Sequence, residues 1–367
     1  MSEAVLDEAR ADSAEDDRAI ASRVRRRYTG QYLLLAAGLA STLALGVYAL
    51  QIGAGGIDLQ TTLGAIWSQI TGAVPADGET ARRYLMVWEL RVPRVALAVL
   101  GGAALAIAGV LFQGLLRNPL VSPFTLGIAP AAAFGAALAI LFFGTSGSSG
   151  LPLVLGALTS ALICTVIVLS LASTKRMEAT TLILLGMALT QLFTALTAGL
   201  QYFADEETLA SIVRWTWGSV NGSVWYQVIT LLVVLAIALP YIQFRSGAVN
   251  AIAFAGDDAA RSLGVPVSRV RLEVIFVAVL ITAVTISFTG IIGFVGLVGP
   301  HIARLLIGAN HRFLIPFSAF VGALLLVVSD AVGRVVIDPA VVPVGIVDAL
   351  IGAPIFLYLI LSRKRSF

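Results

Sequence analysis

"GFVGLVGPHIARLLIGANHR", residues 293–312, begins as an apolar stretch suited to lipid, then takes on Pro300, His301 and Arg304 and ends in His311 and Arg312. A cation at bilayer depth costs about 2.5–3.5 kcal/mol unless it faces protein or water, and proline removes a backbone donor that neighbouring helices must make good. Such a segment is expected on a helix enclosed by other helices. The chain around it agrees. Of 367 residues, 58% are apolar and only 12% charged, with a mean hydropathy of +0.94, whereas soluble domains are about 45–50% apolar and about 25% charged. The 35 Gly and 13 Pro suit packed membrane helices, where small residues let backbones approach. This is the composition of an all-α polytopic membrane protein.

Runs of about 20 apolar residues, the length that crosses a bilayer core, recur at 31–51, 93–115, 121–144, 151–172, 180–203, 224–244, 272–290, 291–308, 314–336 and 344–361. The boundary at 290–291 is the least distinct and could be a break within one helix. An even count of about ten puts both ends on one side. Residues 1–30 ("MSEAVLDEARADSAEDDR", then a basic stretch with Arg23, Arg25, Arg26 and Arg27) read as a polar, disordered tail, 31–361 as the membrane domain and 362–367 as a short basic C-terminus. Placing both termini in the cytoplasm leaves only Arg82, Arg83, Arg91, Arg94, Arg214 and Arg334 outside, so 18 of the 24 basic residues lie inside, as the positive-inside rule expects. The net charge of +3 thus follows topology and does not imply nucleic-acid binding. The single Cys164 excludes an intramolecular disulfide framework and a Cys-based metal site.

Three features carry functional information. The loop 245–271, on the cytoplasmic side, contains "GDDAARSLGVP", in which Asp257 or Asp258 can cap a short helix that Gly264 and Pro266 end. So short a helix is marginal alone; it either docks on a partner or lies on the membrane surface. Within 180–203, Thr190, Thr194, Thr197 and Gln201 fall on one helical stripe with Gln191 beside it, which either lines a substrate path or serves as polar glue between helices. Asp330 and Arg334 are spaced for an intrahelical ion pair near the outer end of their span, and Asp348 lies near the outer end of the last. The carboxylates sit away from the midplane, where coupling sites of secondary transporters usually lie, which disfavours an ion-coupled transporter. A P-loop and the zincin and nucleophile-elbow motifs are missing, which disfavours an ATPase and an intramembrane enzyme.

Four blocks, "RVPRVALAVLGGAALAIAGVLFQGLLRNPLVSPFTLGIAPAAAFG" (91–135), "GDDAARSLGVPVSRVRL" (256–272), "GIIGFVGLVGPHIARLLIGANHRFLIPFSAFVGALLL" (290–326) and "DAVGRVV" with "PVGIVDALIGAPIFLYLI" (330–360), closely resemble the permease subunits of ABC importers for iron-siderophore complexes, haem and cobalamin. The resemblance implies the type II importer fold with about ten transmembrane helices, set in the inner membrane with a second permease subunit, which is either an identical or a homologous chain. It also implies ABC ATPase subunits, which would carry ATP and Mg, and an extracytoplasmic substrate-binding protein. This chain itself would hold no cofactor and hydrolyse nothing. By the same resemblance Gly256, Asp257, Asp258, Ala260, Leu263 and Gly264 form the ATPase-coupling element. Arg91, Arg94 and Arg334 dock the binding protein, and Thr190, Gln191, Thr194, Thr197 and Gln201 line the translocation pathway. The expected cargo is an iron-siderophore complex, with haem or cobalamin as alternatives. Two departures, "AVVPVG" before the last span and Asp348 where relatives often have Thr, concern the outer mouth.

Overall fold

The computed structural model describes residues 3–53, 56–73, 75, 77–144, 150–337 and 339–362. It is helical almost throughout. The helices are α1 (Glu3–Ala49), α2 (Leu59–Thr71), α3 (Gly78–Leu85), α4 (Val92–Leu115), α5 (Ile128–Phe143), α6 (Leu151–Ser173), α7 (Ala179–Phe203), α8 (Glu206–Thr216), α9 (Trp225–Ser262), α10 (Val267–Thr289), α11 (Val295–Ile307), α12 (His311–Val335) and α13 (Val344–Ser362). Each of the ten expected spans falls on one of them. Among the described residues seven helical segments are long and apolar enough to cross a membrane, and the shorter Ile128–Phe143, Val295–Ile307 and Val344–Leu359 fall on the other three expected spans. The break expected near 290 is real: α10 stops at Gly290, in the left-handed half of backbone space at φ 66°, and α11 starts five residues later. The segment read as a disordered tail is instead helical from Glu3, continuous with the first span, consistent with its content of Ala, Glu and Arg.

Helix α4 is the axis of the bundle. Nearly every residue from Val95 to Leu115 is buried, because α9, α10, α11 and α12 all pack on it. Two glycine contacts set those distances. A Cβ on Gly102 would lie 2.3 Å from the carbonyl oxygen of Gly322 on α12, and one on Gly109 would lie 1.8 Å from that of Gly296 on α11, so any side chain at either position would push the helices apart. Packing of this kind substitutes for the hydrophobic drive that lipid removes.

The opening segment now finds its partners. His301 is buried and meets the Phe356 ring of α13 edge-on at 6.1 Å. Arg304 donates to Gln113 Oε1 of α4 at 2.9 Å, and His311 begins α12 against Asn250 of α9. Protein, not lipid, receives all three.

At the end of the bundle expected to face outward lie the short amphipathic α2, α3 and α8. Asp58, Asp77 and Asp205 cap them by accepting from backbone amides two or three residues on. Hydrogen bonds from Thr80 and Thr208 hold the Asp77 and Asp205 carboxyls below the usual carboxylate range.

Candidate functional site

The loop 245–271 is an elbow. Helix α9 runs on past the membrane-spanning 224–244 and turns sharply at Gly256, whose φ of 84° and ψ of 174° interrupt the helix. A side chain would be doubly penalised there, by that conformation and by the Arg117 guanidinium 2.8 Å from where its Cβ would sit. The second limb ends as the sequence suggests. Gly264, at φ 82°, donates to Arg261 O at 2.9 Å while Val265 donates to Ala260 O at 3.0 Å, the two bonds of a Schellman turn. Neither aspartate caps this helix through its side chain as expected. Asp258 turns to Arg261 at 2.7 Å, and Asp257 is gripped from below by Arg271.

That grip was not legible as a site in the sequence. Arg271 is fully buried, at 0% exposure. Its guanidinium donates to Asp257 Oδ1 and Oδ2 at 2.7 and 2.9 Å, to Leu115 O at 3.0 and 3.2 Å and to Met177 O at 2.7 Å. One side chain thus ties the elbow to the ends of α4 and of the α6–α7 turn. The hydrogen bonds from Arg271 hold the Asp257 carboxyl below the ordinary range. Ala260 packs inward, whereas Leu263 is 71% exposed and Phe254 on the other limb 62%. A rigid bracket therefore presents apolar side chains outward.

Helix α7 leaves much of its surface uncovered. Of the expected stripe, Gln191 and Thr194 are exposed and Thr190 and Gln201 half-buried, but Thr197 is buried and donates to Phe193 O at 2.8 Å. The stripe thus straddles the edge between the bundle and the open face, which also carries Leu184, Met187, Leu192 and Leu196.

The three outer arginines are not free cations on a rim. Asp330, 2% exposed, accepts from Arg94 Nε and Nη2 at 3.0 and 2.8 Å and pairs with Arg334 at 2.9 Å. Arg94 also donates to Asn221 Oδ1 at 3.0 Å. Arg334 donates to Ala49 O and Ile52 O at 3.0 and 2.8 Å, and Arg91, 8% exposed, to Leu50 O at 2.7 Å. The expected Asp330–Arg334 pair is present, and Arg91 is held by a carbonyl 41 residues away, which a pattern four residues wide could not disclose. Beside this cluster opens a cavity of 490 Å³ walled by Arg214, Trp215, Trp217, Asn221 and Phe288. Asp348, which the sequence singled out, accepts from the amide of Phe294 at 3.1 Å and fastens α13 to the α10–α11 break.

Among the described residues no cluster of His, Cys, Asp and Glu could hold a metal ion. The arrangement is one of helix ends, brackets and an open face. Residues 41–362 match the FecCD transport family. The chain belongs to that family. Among relatives, this FecCD-family chain is 40% identical to an ABC transporter permease of Methanocaldococcus jannaschii over 92% of this chain and 97% of that one. It is 35% identical to the iron(3+)-hydroxamate import permease of Bacillus subtilis (93% and 86% covered). It is 34% identical to the vitamin B12 import permease of Vibrio cholerae (84% and 91%). Among solved structures, a metal-chelate type ABC transporter in an inward-facing conformation superposes with a TM-score of 0.77 at 34% identity, covering 89% of this chain and 98% of that one. The fold is thus that of a type II ABC importer permease.

Proposed function

We propose that this chain is the membrane-spanning subunit of an importer that moves an iron-siderophore complex inward, driven by ATP hydrolysis on separate subunits. The observation that carries the reading is the elbow, a bracket braced by the buried Arg271 that offers Leu263 and Phe254 to a partner. A short helix braced against α4, α10 and the α6–α7 turn transmits displacement, which a surface helix floating on lipid would not. The uncovered face of α7 fits a second permease subunit, with Gln191 and Thr194 at the seam where a path would run. Hydroxyls and amides make weak, exchangeable contacts, suited to a chelated cargo that must also leave. The iron-hydroxamate relative favours a siderophore; the vitamin B12 relative favours a second reading, cobalamin, by the same mechanism. Arg91, Arg94 and Arg334 serve a substrate-binding protein by holding the outer rim in shape.

Leu263→Asp tests the coupling role. Burying an unpaired charge in a docking groove is costly, so substrate uptake and stimulated ATP hydrolysis should fall together while the permease still inserts. Normal uptake by this variant would leave the elbow as a membrane-surface helix.

A further inference from the structure

On the same end of the bundle as the elbow, α4, α9, α11 and α12 converge on a second cavity, of 280 Å³, lined among others by Gln113, Arg117, Asn118, Phe254, Arg304 and His311. Two guanidiniums approach it from different elements, Arg304 from α11 and Arg117 from just beyond α4. Arg304 also holds Gln113 Oε1. None of the residues lining it is acidic, and Asp257, on the neighbouring elbow, is committed to Arg271.

The ring of His311 adds a feature that the import reading does not use. Asn250 donates from Nδ2 to Asn310 Oδ1 at 2.9 Å, which fixes its amide with Oδ1 toward His311. That oxygen accepts from His311 N at 2.9 Å and contacts His311 Nδ1 at 2.8 Å. An oxygen that can only accept requires the proton on Nδ1, so the neutral ring presents a lone pair at Nε2. His311 is 3% exposed, and Nε2 has no hydrogen-bond partner among the described residues. It packs against Gly114, at 2.4 Å from where a Cβ would stand, and both residues line the cavity. A buried polar atom without a partner is costly to leave unmade.

We propose that this cavity binds a protonated oxyanion of the phosphate type, its charged oxygens on Arg117 and Arg304 and its hydroxyl donating to His311 Nε2. Guanidiniums match phosphate geometry and make the stronger, charge-assisted hydrogen bonds. The lone pair selects among anions. Inorganic phosphate keeps one hydroxyl across the neutral range, sulfate has none, and a phosphate monoester has one only below its second pKa of about 6. The ligand is either free phosphate or the monoester headgroup of phosphatidic acid, which share this chemistry. Because Arg117 also packs on the Gly256 turn, occupancy bears on the elbow.

The test is calorimetric titration of the purified full-length permease with inorganic phosphate, methyl phosphate and sulfate at about pH 8 and about pH 5.5. Saturable binding of phosphate at both pH values is expected. Methyl phosphate should bind at the lower pH and about tenfold more weakly at the higher one, the loss of one hydrogen bond to a charged group. Arg117→Asn, which tolerates the left-handed backbone there at φ 49°, and Arg304→Gln should each weaken phosphate at least about tenfold. Nanodiscs containing phosphatidic acid that exclude free phosphate, where phosphatidylglycerol nanodiscs do not, would support the site and assign the lipid as source; equal phosphate binding in both supports the free ion. Sulfate binding as tightly as phosphate at pH 8, no saturable phosphate binding, or unchanged affinity in the folded Arg117→Asn protein would overturn the proposal.

Discussion

Arg271→Met exposes the energetics of the elbow most directly. Methionine matches the length of the arginine stem but supplies no donor. The Leu115 and Met177 carbonyls lose their side-chain donor, at about 1–3 kcal/mol for a buried group left unsatisfied, and Asp257 loses a bidentate counterion. Breaking a fully buried pair costs about 3–5 kcal/mol. The cost is smaller here because the Asp257 side chain is 27% exposed and Arg261 stands 3.7 Å away. About 4 kcal/mol for release of the elbow is a fair sum, nearly a thousandfold in its opening equilibrium. Amide hydrogen exchange of the assembled transporter should therefore quicken by two to three orders of magnitude at about residues 257–265 while α4 stays protected, and stimulated ATP hydrolysis should be lost. Arg271→Lys should fall between, since a single ammonium cannot span both carboxylate oxygens and both carbonyls. Unchanged exchange at the elbow in Arg271→Met would refute the bracket.

A carboxylate held below its unfolded value contributes stability above that value and loses it as the pH falls through the folded one. Elbow exchange, corrected for intrinsic rates, should stay level from about pH 8 to about pH 5 and rise below about pH 4, and Asp257→Asn should remove that transition. Asp330→Asn strands Arg94 and Arg334, whose side chains are 13% and 6% exposed; at about 3–5 kcal/mol the thermal midpoint in detergent should drop by roughly 4–6 °C, and an unshifted midpoint would show that the cluster is not structural. Single cysteines at Asp77 and Asp205 should label from outside in sealed cells and one at Ser262 should not; the reverse pattern would invert the proposed orientation.

The spans were legible because each is written locally, in some twenty consecutive apolar residues, and even the short α11 kept its signal through Pro300 and Arg304. The polar stretch before Gln31 was read as disordered, though it is helical, since polarity records solvation better than helicity. What the sequence hid were the ties between distant residues. Arg271 lies 156 positions from Leu115 and 94 from Met177, and Arg94 lies 236 from Asp330; no local period encodes such pairings. The sequence placed Arg91, Arg94 and Arg334 on the cation-poor side, and what satisfies them is this chain's own Asp330 and carbonyls. His311 stood in the opening segment from the start, but its tautomer became legible only once Asn250 and Asn310 met it.

The first span bears on how the chain is made. Its C-terminal end is held by Arg91 and Arg334, and its N-terminal part by Gln31, which donates to Ile307 O at 3.0 Å. Arg334 emerges 285 residues after Ala49, about 15–60 s later at ordinary translation rates of about 5–20 residues per second. For most of synthesis, then, the helix that enters the membrane first has its N-terminal clasp and one of the two guanidiniums at its other end still unmade, and it must wait in lipid or beside the insertion machinery until the last quarter of the protein arrives to fasten it.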